Sequence, residues 1–96
     1  MIELYDCVNK VESHFGLPPM SILKGGRRKS VALARGVAMY LIRVHTPRSL
    51  KEIGEFFGRD HTSVYVAVKK CMDAQPGTEL YNYIVDIEEL FLEEVK

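Results

Sequence analysis

The 96-residue chain has no apolar run approaching the ~20 residues needed to cross a bilayer, and no charged-then-apolar leader. A spanning helix is therefore excluded and a cytoplasmic protein is expected. Cysteine is scarce. Cys7 and Cys71 have no CxxC partner and no histidine at ligand spacing, so reduced, partly buried thiols are expected in place of a disulfide or zinc site. His14 and His45 likewise lack a second ligand nearby, which leaves them surface or helix-end roles and leaves no metal or other cofactor to expect. No nucleophile-base pair and no paired carboxylates converge by spacing, so no enzyme is expected. There is no G-x-x-x-x-G-K-[ST], and Gly25-Gly26-Arg27-Arg28-Lys29-Ser30 lacks the spacing and preceding strand of a phosphate loop, so no nucleotide is expected to bind. Internal repeats and low-complexity segments are absent too.

Acidic residues are almost missing from the middle of the chain. Residues 24–70 hold eleven Lys/Arg (Lys24, Arg27, Arg28, Lys29, Arg35, Arg43, Arg48, Lys51, Arg59, Lys69, Lys70) against Glu52, Glu55 and Asp60. Residues 71–96 hold seven acids and only Lys96. A net charge of zero thus conceals a basic middle framed by acidic ends, the footprint of a surface that meets phosphates.

The periodicity is helical throughout, and the length suits one all-α domain of about five helices that buries roughly 65% of its unfolded surface. A first helix is expected over about 2–15, with Leu4, Val8, Val11 and Phe15 on its apolar stripe, ending at Gly16 before Pro18 and Pro19. Met20 to Lys24 reads as a short turn, and Lys24 to Lys29 as a glycine-hinged basic arm. Ser30 is then expected to cap a central helix over about 31–46. Val31, Ala34, Ala38, Leu41 and Ile42 mark one buried face and Leu33, Val37, Tyr40 and Val44 a second, leaving Arg35, Gly36 and Arg43 for solvent or phosphate. Gln75 to Thr78 makes a turn before a last helix, about 79–94, with Leu80, Ile84, Ile87 and Phe91 inward and an acidic outer face. Tyr81 and Tyr83 are expected to pack.

Ser49 to Lys70 has the spacing of a helix-turn-helix. Ser49 and Glu52 form a capping box for a short helix whose stripe is Leu50, Ile53 and Phe57. Gly54 at its centre costs about 1 kcal/mol relative to alanine, which is reasonable if a second helix crosses closely there. Gly58 supplies the turn and Asp60 the next cap. Val64, Ala67, Val68 and Cys71 repeat at i, i+3, i+4 and i+7 and would seat the second helix on the first. Its opposite face carries Thr62, Tyr65, Val66 and Lys69, flanked by Ser63 and Lys70, with His61 in the first turn. Such a face presents donors and acceptors to base edges in a major groove and cations to the phosphates beside it. Asp60 is expected to be a cap first and a base acceptor second.

The run RRKSVALARGVAMYLIRVHTPRSLKEIGEFFGRDHTSVYVAVKK resembles the C-terminal DNA-binding domain of the bacterial replication initiator DnaA. The preceding IELYDCVNKVESHFGLPPMSILKGG is similar to that domain's first helix and lead-in, so the resemblance covers nearly the whole chain. Its specific part is the combination of A-R-x-x-A-M-Y-L, S-L-x-E-I-G and R-D-H-T-[ST]-V. The resemblance implies binding of double-stranded DNA at DnaA-box-type origin sites. It places Arg27 in the minor groove, Asp60, His61 and Thr62 on major-groove base edges, and Arg35, Ser63 and Lys70 on phosphates. Arg28, Lys29, Arg59 and Lys69 are further phosphate candidates from the basic segment. The chain departs from the family pattern in carrying one glycine, Gly58, before R-D-H, Gly36 where a glutamine is common, and Val66 where many members have histidine.

Without an ATPase module this chain is not expected to be an initiator alone. An excised fragment, a stand-alone homologue and the DnaA-like domain appended to certain transposases all stay open. So does a protein-interaction module on a helix-turn-helix scaffold, with Tyr65, Val66 and the acidic last helix as its surface. A monomer in isolation is expected.

Overall fold

A computed structural model describes residues 3–24 and 28–95, with side chains as far as Phe91. It is all-α: α1 Leu4–Phe15, α2 Lys29–His45, α3 Leu50–Phe57, α4 His61–Met72 and α5 Glu79–Val95, with no strand among the described residues. Central α2 packs against each of the other four helices, and α3 and α4 pack on one another. Its length and burial make this possible: Val31, Ala34, Val37, Ala38, Met39, Leu41 and Ile42 are all buried. Around it lie Cys7, Val8 and Val11 of α1, Ile53 and Phe57 of α3, Val64, Val68 and Cys71 of α4, and Ile84, Ile87 and Phe91 of α5. Each large apolar side chain removed from water in this way contributes about 1.5–3 kcal/mol.

The helix ends largely follow local chemistry. Glu3 caps α1 by accepting from the amides of Tyr5 and Asp6, and Gly16 closes it in the left-handed conformation (φ +69°). The Ser49–Glu52 capping box is reciprocal, each side chain accepting from the other's backbone amide at 3.1 Å. Asp60 caps α4 by accepting from the Ser63 amide at 2.8 Å. At α2 the expectation fails. The helix begins at Lys29, so Ser30 lies inside its first turn and Arg28 stands at the cap position with no side-chain bond. Arg28, Lys29 and Ser30 are exposed, so the helix runs back beyond Val31, its first buried residue, into a turn whose free amides solvent can satisfy in place of a polar cap.

The second face of α2 is also narrower than its periodicity implies. Val37 is buried, Leu33 and Tyr40 are half-buried, and Val44 is 50% exposed. Conversely, Arg35 is not on a solvent stripe: it is buried, and its Nε donates to the Ile22 carbonyl at 2.8 Å. Gly36 is half-buried, its Cα facing Ala67 of α4, while the Cys71 thiol donates to the Gly36 carbonyl at 3.7 Å. Both cysteines are free and buried, more deeply than expected, and burial pushes the Cys7 thiol up to about 12 and Cys71 to about 11.

Gly54 is crowded, but not by the body of a second helix. A Cβ there would sit 2.5 Å from the carbonyl oxygen of Arg59, in the turn just before α4. That turn is drawn in because the Arg59 amide donates back to the Gly54 carbonyl at 2.8 Å, with Gly58 left-handed beside it (φ +68°). Gly54→Ala should therefore lower stability by about 1–3 kcal/mol through overpacking against backbone. Gly36→Ala should do the opposite, raising stability by up to about 1 kcal/mol, because its methyl would meet Ala67 at an ordinary 3.7 Å while helix propensity improves. Urea unfolding of the two variants checks both signs, and equal midpoints would refute the crowding at Gly54.

Candidate nucleic-acid interface

The orientation of α4 follows from three buried side chains. Val64, Val68 and Cys71, with half-buried Ala67, hold one face of the helix against α2 and α3. The remainder is turned outward: His61, Thr62, Ser63, Tyr65, Val66, Lys69 and Lys70 are all exposed, with Tyr65 at 53% and Val66 at 60%. The two residues read as base contacts at the helix start, His61 and Thr62, thus stand together in the first turn. Asp60 precedes them, its carboxylate engaged as the cap, and the Ser63 amide holds that carboxyl below the usual range. Lys69 pairs with Asp73 one turn on, at 3.3 Å between two largely exposed side chains, a contact worth little in water.

Beside the start of α4 lies a cleft of about 250 Å³ lined by Ala32, Arg35, Gly36, Met39, Arg59, Ser63 and Ala67. It brings together three of the residues assigned to phosphates: two guanidiniums and one hydroxyl, with no carboxylate in the lining. Burial first, and then the neighbouring Arg59 charge, depress the Arg35 guanidinium from its ordinary value, as two like charges sharing a low-dielectric wall must. An anion between them would relieve that repulsion. Arg28 and Lys29, at the start of α2, are exposed. Lys29 and Lys70 line a second, mainly apolar groove of about 300 Å³ with Leu33, Val66 and Leu80. Arg27, read as the minor-groove contact, lies outside the described residues.

Several other polar side chains are engaged within the fold. His45 meets Glu88 at 2.7 Å, joining the end of α2 to α5. His14 stacks edge-on against Phe15 and Tyr83, and the Tyr83 hydroxyl bonds Glu79. Tyr81, expected to pack like Tyr83, is instead exposed (37%). Among the described residues no group of three His, Cys, Asp or Glu gathers as a metal site would require, and no helix is long and apolar enough to cross a membrane.

One residue linked to Arg35 through the α1–α2 connection went unmarked in the sequence. Glu12, 1% exposed, accepts from the amides of Met20 at 2.9 Å and Ile22 at 3.1 Å, and from the Ser21 hydroxyl at 3.5 Å. Its only sequence signal is position: it falls four residues after Val8, in line with the apolar stripe of α1, where a carboxylate needs buried partners.

Comparison with known proteins agrees with the geometry. The family described as bacterial dnaA protein helix-turn-helix matches residues 5–71, from the first turn of α1 through the buried Cys71 of α4. The chromosomal replication initiator protein DnaA of Deinococcus deserti is 49% identical over 69 residues, which cover 72% of this chain and 15% of that protein. The Thermus thermophilus protein of the same name is 48% identical over 69 residues, covering 71% of this chain and 16% of the relative. For Bifidobacterium animalis subsp. lactis the figures are 44% over 84 residues, 85% and 14%. The chain thus spans about a seventh of the length of these relatives, and it belongs to the bacterial dnaA protein helix-turn-helix family.

Proposed function

We propose that this domain binds double-stranded DNA sequence-specifically, as a monomer and without nucleotide, at sites of the DnaA-box type. The relatives are named chromosomal replication initiators, and a part in replication initiation or its regulation is the role proposed for the protein that carries this domain. One observation carries the reading: three buried residues turn α4 so that His61 and Thr62 project together from its first turn, beside a cleft holding Arg35, Arg59 and Ser63. In a major groove the imidazole can donate to a guanine acceptor and the threonine methyl can meet a thymine methyl. The exposed Val66 and Tyr65 lie on the same outward face, where apolar contact with thymine methyls is equally open to them. Asp60, already a cap, adds an acceptor at the edge of the same face. Arg28, Lys29, Arg59, Lys69, Lys70, Ser63 and Arg35 are the proposed phosphate contacts, and Arg27 the minor-groove contact.

Binding should weaken with salt, log K falling against log salt with a slope of about −4 to −6, as five to seven neutralised phosphates require. Fluorescence anisotropy with a labelled duplex across a salt series measures it. A slope near zero would reject the reading in favour of an apolar protein-docking surface on α4.

Sequence readout has its own test. His61→Ala and Thr62→Ala should each cost about 1–3 kcal/mol on the preferred site and little on random DNA, whereas Lys70→Ala should weaken all sequences about equally. Selection from a random duplex library with each variant checks this. Unchanged site preferences for both α4 variants would mean that this helix does not read bases.

A further inference from the structure

We infer that Glu12, a buried carboxylate on the opposite side of the α1–α2 connection, is a positioning residue that aims the Arg35 guanidinium into the cleft beside α4. The inference rests on the DNA-binding reading above. Its links are all hydrogen bonds on consecutive backbone. The Glu12 carboxylate holds the amides of Met20 and Ile22 at 2.9 and 3.1 Å, and Ile22 in turn presents its carbonyl to Arg35 Nε at 2.8 Å. Because a guanidinium is planar and rigid, fixing Nε fixes the plane in which its terminal nitrogens lie. Those nitrogens belong to the side chain that lines the cleft with Arg59 and Ser63.

The turn needs this holding. Met20 sits at φ +67°, a left-handed conformation that strains a non-glycine residue, and its amide is one of the two that Glu12 grips. Releasing the carboxylate lets the turn relax and moves the Ile22 carbonyl, the acceptor of the Arg35 Nε–H. A buried carboxylate is a costly way to brace a turn if bracing is all it does, since apolar packing of similar volume is often as stable.

The test uses Glu12→Gln, Arg35→Gln and the double variant, each shown by circular dichroism to be folded at the assay temperature. Two readings are taken: hydrogen exchange at Arg35 Nε by NMR, and the salt slope of duplex binding. Glu12→Gln should speed Nε exchange about tenfold or more, weaken binding about three- to tenfold and flatten the slope by up to about one unit, while adding no further loss in the Arg35→Gln background. A role in stability alone would leave the slope and the exchange of the folded protein unchanged. Either a folded Glu12→Gln with wild-type exchange and slope, or losses that add in full to those of Arg35→Gln, overturns the inference. Should Glu12→Gln not fold, Glu12→Asp, which keeps the charge but withdraws it by one methylene, carries the same comparisons. A wild-type slope near zero rejects the DNA reading itself, and the Nε exchange then still decides whether Glu12 orients Arg35.

Discussion

A single buried carboxylate holds the connection on which the arrangement of the first two helices depends. The thirteen residues between α1 and α2 include two prolines and a left-handed methionine; the amides of Ser21, Leu23 and Lys24 find carbonyls within the turn, while those of Met20 and Ile22 are met by a side chain. Glu12 supplies the missing acceptors from inside, and Arg35 answers from α2 by donating to the carbonyl of the same stretch. The Ile22 side chain, wholly buried, fills the space between. The two side chains are thereby linked through the backbone of Met20 to Ile22, in the region where α1 meets the central helix.

The helix-turn-helix is held by different means. Its geometry is set by contacts so short that they act on backbone atoms: an amide returned from Arg59 to Gly54, and a carbonyl of Arg59 where any side chain on Gly54 would have to be. Side-chain packing of Val64, Val68 and Cys71 then fixes the rotation of α4, and Cys71 reaches across to the backbone of α2. The outward face of α4 is what remains.

Features legible in the sequence were those whose causes are local. The capping box at Ser49 and Glu52, the left-handed glycine at 58, the Asp60 cap and the i, i+3, i+4, i+7 spacing of α4 all arise within four residues, and each appears where the spacing puts it. What was missed depends on partners distant along the chain. Arg35 looked solvent-facing because its neighbours on α2 leave a polar stripe, but its acceptor lies 13 residues upstream, and no local pattern announces it. Glu12 is linked to Ile22 across 10 residues for the same reason. Ser30 resembled a cap because its residue type favours one, yet the helix starts two residues earlier than expected, at the exposed Lys29. Val44 fits the helical period but falls where no other element among the described residues covers it, and stays half exposed.

The short turn between α3 and α4 carries a consequence for association. Three residues join the helices, the first is locked left-handed, the second is hydrogen-bonded back into α3 and the third is spent on capping α4. So short and so fully engaged a turn offers little freedom for a hinge between the two helices. Whatever meets the outer face of α4 finds its side chains already at fixed spacing, and little backbone disorder has to be frozen out on contact. Less of the interaction energy is then lost to ordering the backbone, and an ill-fitting surface is poorly accommodated by bending.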